Sequence, residues 1–307
     1  MRSSGNLADR IYGSALVLFG LTIPTLFAFL FLKIFVSALP AIREFGGGFL
    51  TSSDWNPVEG QFGALPFIFG TVASSLLALI LALPLAVGLA IFLTELAPRW
   101  LAAPIAFATE LLAAIPSVVY GLWGIFVMVP WLRTAIQQPL ADALGDRIPL
   151  FRGPAYGSSM LAGGVILAIM IVPFISAVSR EVLRAVPRAQ REGALALGAT
   201  RWEMTCQVAL PYALPGIIGA TILGLGRALG ETMAITMVIG NRPEVAASLF
   251  APGYTMASVL ANEFAEASSD LYLSALMEIA LLLFGITILV NAVARFLVWR
   301  VRRQGGT

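Results

Sequence analysis

Apolar side chains gather along this chain into six long, nearly continuous runs, at about residues 11–39, 67–93, 102–132, 160–179, 209–240 and 271–298. Each reaches the roughly 20 residues that an α-helix needs to cross about 30 Å of hydrocarbon. The runs do not alternate at every second residue, so the pattern predicts helices, which satisfy their own backbone hydrogen bonds, rather than a barrel. The expected fold class is all-α: a polytopic membrane protein with six transmembrane helices forming one domain over residues 1–307. The first run exceeds a signal-peptide core of about 7–15 residues and carries no convincing small-x-small cleavage site, so it reads as a retained span. Pro24, Pro84, Pro104, Pro116, Pro173 and Pro215 fall inside the runs, which is tolerable where neighbouring helices re-satisfy the freed carbonyls.

Composition agrees and then narrows the chemistry. Of the 307 residues, 59% are hydrophobic and 12% charged, about half the charged fraction of a soluble domain, and mean hydropathy is +0.89. There is no histidine, one cysteine (Cys206) and one lysine (Lys33). Without histidine there is no His-based triad, no HExxH zinc site and no imidazole-held haem or copper. One cysteine forms neither an internal disulfide nor a thiolate cluster, so the redox compartment is not readable. A Walker A loop needs Gly-Lys-Ser/Thr, and Lys33 follows Leu32 in an apolar run. ATP hydrolysis by a P-loop in this chain is therefore excluded. An intramembrane protease is excluded too, since neither a Ser-His dyad nor the Tyr-Asp plus Gly-x-Gly-Asp pair of an aspartyl protease is present.

Arginines set the expected orientation. With the N-terminus inside, cytoplasmic segments hold Arg2, Arg10, Arg99, Arg180, Arg184, Arg188, Arg191, Arg201, Arg295, Arg300, Arg302 and Arg303, while external loops hold Arg43, Arg133, Arg147, Arg152 and Arg242. That is 12 against 5, which favours both termini in the cytoplasm. The net charge of +2 is thus a topology signal and does not argue for nucleic acid. External loops are expected at about 40–66, 133–159 and 241–270, and a cytoplasmic loop at about 180–208. The first and the 133–159 external loops suit a partner outside the membrane or a solvated connector equally well.

The cytoplasmic loop is the least expected segment. Residues Arg191-Glu192-Gly193-Ala194-Leu195-Ala196-Leu197-Gly198-Ala199-Thr200-Arg201-Trp202 read as a short surface helix ended by a glycine. Glu192-Gly193-Ala194, three residues, Gly198, nine residues, then Val208, Leu210 and Pro211 is similar to the EAA motif of ABC-importer permeases. Only Val208, where the motif has Ile, departs from it. The resemblance implies that Glu192, Gly193, Ala194, Gly198, Leu210 and Pro211 belong to a coupling helix and loop that dock on a cytoplasmic ATPase. Arg184, Arg188 and Arg191 suit that role or contact with anionic lipid headgroups.

Inside the fifth run stands Gly224-Leu225-Gly226-Arg227-Ala228-Leu229-Gly230-Glu231-Thr232. An arginine near a span centre costs about 2.5–3.5 kcal/mol on insertion scales, so it faces protein or an aqueous path and needs a partner. Arg227 and Glu231 are i and i+4 on one helical face, and the spacing predicts an ion pair that an entering anion can open. The alternative is a structural pair that fixes helix packing. Glu110 and Glu278 are further acids in apolar surroundings; Thr232, Ser117 and Asn241 are candidate hydrogen-bonding neighbours.

Gly226 to Thr232, Ile115-Pro116-Ser117-Val118-Val119-Tyr120-Gly121, the Phe49 to Pro57 segment and Phe62-Gly63-Ala64-Leu65-Pro66 resemble the permeases of phosphate ABC importers, of the PstC type rather than the PstA type. The likeness runs from Asp9 to Arg303. It implies a type I permease that carries inorganic phosphate by alternating access, with Arg227, Glu231, Thr232 and Ser117 on the substrate path. It also implies a homologous PstA-type second permease, two PstB-type cytoplasmic ATPase subunits holding ATP-Mg, and an extracytoplasmic PstS-type phosphate-binding protein. No cofactor or metal is expected in this chain. Because the coupling motif is shared, a permease for sulfate or molybdate stays open, as does an ion-coupled transporter gated by the Arg227/Glu231 pair.

Overall fold

The computed structural model describes residues 7–304, and Arg2, counted above toward a cytoplasmic N-terminus, lies outside them. In chain order the helices are α1 (Leu7–Phe45), α2 (Gly48–Thr51), α3 (Leu65–Ile91), α4 (Arg99–Ala114), α5 (Ser117–Trp123), α6 (Val129–Leu132), α7 (Gln138–Leu144) and α8 (Met160–Arg184). They continue as α9 (Arg188–Ala196), α10 (Arg201–Met204), α11 (Leu210–Leu229), α12 (Met233–Val238), α13 (Met256–Glu263) and α14 (Asp270–Gln304). Single π-helical turns join α5, α6 and α7 into one rod, extend α3 to Leu96, and link α10 to α11. Six helices are long and apolar enough to cross a membrane: Ile11–Phe45, Leu65–Leu96, Ser117–Leu144, Met160–Arg184, Arg201–Leu229 and Asp270–Val293.

Two of these differ from the sequence reading. The apolar run at 102–132 is one unbroken stretch by hydropathy, yet Ile115 is extended (φ −67°, ψ 131°) ahead of Pro116. A residue before proline is pushed out of the α region. The break separates the shorter α4 from a long rod that starts at Ser117 and runs on to Leu144, through residues expected in a loop. The run at 209–240 is cut as well. Its helix ends at Leu229, and α12 restarts at Met233. Proline inside a helix does less damage elsewhere: Pro24, Pro84, Pro104, Pro173 and Pro215 all sit within continuous helices.

Helix α8 is the axis of the bundle. Its apolar stretch is 61% buried, against 28% for α3 and 0% for α1, which lies at the periphery. Ala78, Ala82, Ala86 and Ala90 of α3 recur every fourth residue and are fully buried, which lets the α3 backbone approach α8 closely. Glycines do the same on the other flank, where Gly224 of α11 receives the side chain of Ile175. Helix α14 closes the opposite side against α1, with Phe284 packed on Phe27 and Phe31.

The end of the bundle away from α9 is more ordered than its polar sequence suggests. Residues 241–255, expected in a loop, fold back over the helices. Met160 and Leu161 amides donate to the Ala251 and Leu249 carbonyls, and the Met256 amide donates to Thr71 Oγ1 at 2.9 Å. Gly70 leaves the space that the Tyr254 carbonyl fills. Fully buried Gln137 clamps the chain entering α8, accepting from the Gly157 amide and donating to Gly157 O and Ser159 Oγ, each at 2.9 Å. Glu263 is the hub of an aromatic cluster, accepting from Trp55 Nε1 (2.8 Å), Tyr272 (2.6 Å) and Tyr254 (3.1 Å). Burial, and the bond given to Glu263, hold the Tyr254 phenol above its ordinary pKa, so it remains a donor. Replacing Glu263 by Leu strands three donors, and the expected loss is about 3 kcal/mol. A lowered thermal unfolding midpoint in detergent checks this, and Glu263→Gln should recover part of the loss.

Candidate functional site

Helices α5 and α12 lie side by side where both long apolar runs break. Gly121 lets α5 touch Ala234 and Met237 of α12, and Gly124 meets Val238, so the two helices advance in the same direction. The breaks that precede them, at 115–116 and 230–232, therefore fall at a similar level along the paired helices. The backbone groups freed at the breaks have partners. Tyr120 Oη donates to the Leu112 carbonyl at 2.8 Å across the first break. At the second, Thr232 Oγ1 donates to Gly230 O at 3.3 Å, and Glu231 Oε1 accepts from the Ala234 amide at 3.2 Å.

That last bond corrects the expected ion pair. Arg227 and Glu231 share a face only if the helix continues between them, and it ends at Leu229. Glu231 instead caps α12, where a carboxylate is favoured by the helix dipole. Among the described residues, no carboxylate lies within salt-bridge distance of Arg227, which is exposed one turn before the break. Neither Glu110 nor Glu278 forms an ion pair with it. Glu110 binds Arg180 Nη2 at 2.6 Å, and Glu278 is buried in α14 with Oε2 unpartnered. Asn241 lies beyond the far end of α12, donating to the Thr236 carbonyl at 2.8 Å.

The second site is the loop between α8 and α11. Helix α9 ends in a Schellman motif: the Ala199 amide donates to Ala194 O at 3.2 Å and the Gly198 amide to Leu195 O at 3.0 Å. Gly198 takes φ +90°, a conformation L side chains rarely adopt. A capping box at Thr200 and Glu203 then starts α10. Only one face of α9 is held. Ala194 packs with Leu210 against the ends of α3, α8 and α11, whereas Glu192 and Gly193 face outward, with Leu197 92% exposed. Nothing in the structure requires glycine at 193. Pro211 occupies the first turn of α11, where its missing N–H costs nothing.

Sequence reasoning missed what ties this loop to the bundle. Arg191 Nη1 donates to Glu95 Oε2 at 3.2 Å, Nη2 lies 3.0 Å from Oε1, and Nη2 also donates to the Leu183 carbonyl at 2.6 Å. Glu95, almost fully buried, is the acid at the end of the second apolar run, and that isolation was the available signal. One guanidinium thus joins α9 to the ends of α3 and α8.

Known proteins resemble this chain in sequence and in fold. The family described as "Binding-protein-dependent transport system inner membrane component" matches residues 82–303. The chain is 46% identical over 304 residues to the phosphate transport system permease protein PstC of Mesorhizobium japonicum, covering 98% of this chain and 93% of that one. It is 45% identical to PstC of Haemophilus influenzae, with 97% and 95% covered. PstC 2 of Mycobacterium tuberculosis is 39% identical, with 94% and 90% covered. Among solved structures, a chain of a bacterial alginate ABC transporter superposes with TM-score 0.60 at 16% identity, over 95% of this chain and 97% of that one. A chain of the MetNI methionine ABC transporter gives 0.55 at 18%, over 76% and 94%. At such identity the likeness concerns the fold alone. With the family match spanning most of the six-helix bundle, and relatives alike along nearly their whole length, this chain belongs to the inner membrane components of binding-protein-dependent transport systems, the permeases of ABC importers.

Proposed function

We propose that this chain is the membrane permease subunit of an ATP-driven importer of inorganic phosphate, and that Arg227 is its anion contact. The observation that carries the reading is an exposed arginine with no ion-pair partner among the described residues, in the last turn of an apolar helix just before a break, in a chain whose curated relatives are phosphate permeases. Lipid does not stably face such a group, so an aqueous path or a second subunit must cover it. Its forked donors suit a tetrahedral oxyanion, and one arginine does not distinguish phosphate from sulfate, so selectivity is assigned to the binding protein. Ser117 and Thr232 stand at a similar level as further hydrogen-bonding groups, while Glu231 keeps the break in shape and does not neutralise Arg227 in this conformation.

In this reading the chain sits in the bacterial inner or plasma membrane with both termini cytoplasmic, as the 12-to-5 arginine distribution favours. It pairs with a homologous PstA-type permease, and a PstS-type binding protein delivers phosphate from the outer side. Two PstB-type ATPase subunits bind and hydrolyse ATP-Mg, and α9 docks on one of them. Leu195, Leu197 and Trp202 supply exposed apolar contacts there, and the Arg191 tie passes the motion to α3 and α8.

Two substitutions test the two sites. Arg227→Ala should lower phosphate uptake by the assembled transporter at least tenfold, the equivalent of one lost charge-assisted contact, with subunit stoichiometry unchanged. Undiminished uptake removes Arg227 from the path, and dependence on an ion gradient in place of ATP would replace the class. Gly198→Ala should strain the left-handed turn by about 1–2 kcal/mol and reorient α10 against α9. Weaker co-purification of the ATPase, or hydrolysis uncoupled from uptake, is the expected result.

A further inference from the structure

On the end of the bundle that carries α9, the α8–α9 connection and the start of α4 enclose a pocket of about 630 Å³ that no step above uses. Three arginines line it, Arg184, Arg188 and Arg191, facing Thr94 and the small side chains of Ala102 and Ala106. No carboxylate is among the lining residues. The three cations differ in how far their charge is satisfied. Arg191 is engaged by Glu95 and the Leu183 carbonyl, yet its Nε is buried and has no acceptor. Arg184 meets Glu181 at 3.2 Å, but both side chains are more than half exposed, and such a bridge exchanges readily. The Arg188 side chain makes no hydrogen bond or ion pair among the described residues.

The pocket is therefore a concavity with unspent positive charge, walled on one side by an apolar helix. Guanidinium forks match the oxygens of a phosphate group, and basic pockets between helices at a membrane surface are where anionic headgroups bind. We propose that this pocket binds a phosphate-group anion, either an acidic phospholipid headgroup or free inorganic phosphate, and that the bound anion braces α9 against the ends of α3 and α8. The pocket and its arginines are distinct from Arg227, so the inference stands apart from which solute the chain carries.

The test uses the full chain and reads its thermal unfolding midpoint. One arm titrates inorganic phosphate against chloride at constant ionic strength in neutral detergent; the other compares nanodiscs of phosphatidylcholine with nanodiscs containing phosphatidylglycerol. A saturable stabilisation is expected in at least one arm, phosphate alone indicating a free anion and phosphatidylglycerol alone a headgroup. The Arg184→Gln/Arg188→Gln double variant should weaken that response at least tenfold. Arg188→Gln alone breaks no side-chain contact among the described residues and should weaken it about threefold or more, while the part of the response that the double variant removes should persist in Arg227→Ala. Stabilisation that chloride reproduces, an unchanged response in both arginine variants, or a response lost only in Arg227→Ala would overturn the assignment.

Discussion

Hydrocarbon offers no water to a backbone amide or carbonyl, and this constraint governs where the chain is free to stop being helical. Two interruptions occur inside expected spans, at 115–116 and 230–232, and side chains satisfy the groups that they free. Tyr120 reaches back to the Leu112 carbonyl, and Glu231 reaches forward to the Ala234 amide. The same economy applies to hydroxyls inside the apolar helices. Thr71, Thr221 and Thr287 each return a hydrogen bond to the carbonyl one turn earlier, at 2.7–2.8 Å. Polar residues are therefore affordable within the bundle where the local backbone can take their donors.

Placing the breaks side by side has an electrostatic consequence. Glu231 serves as a cap and is drawn away from Arg227, so the guanidinium keeps its donors available. Glu110 is likewise committed to Arg180. Glu231 lies in the same stretch of chain, but the helix end between it and Arg227 turns its carboxylate toward the Ala234 amide. An exposed cation at the end of an apolar helix inside the bundle needs surroundings that a single chain does not supply, in keeping with a family described as a component of a transport system.

At the other end of the molecule, the loop between α8 and α11 combines a rigid inner face with an open outer one. Gly198 and the Thr200 capping box set its shape, and Ala194 and Arg191 fix it to three helix ends. The buried Glu95–Arg191 pair is the strongest of these ties, since removing either partner would leave a charge without compensation. The loop is thus held at its root and exposed at its tip.

Much of this was legible in one dimension. Helical class, six apolar helices and the glycine-ended loop helix follow from hydropathy, run length and the spacing from Glu192 to Pro211, because those properties depend on residues close in sequence. Even the break at Pro116 had a local signal, which the unbroken hydropathy of residues 102–132 concealed. The partners of the charges were not legible. An i, i+4 spacing predicts an Arg227–Glu231 pair only while the helix is continuous, and whether it continues depends on what the Ala234 amide finds nearby. Glu95 with Arg191, Glu110 with Arg180, and Glu263 with Trp55 join residues 70 to 208 positions apart. Sequence alone thus determined which segments are helical and apolar. Only the packed bundle decided which charge meets which, because such contacts depend on helix order and rotation that hydropathy does not encode.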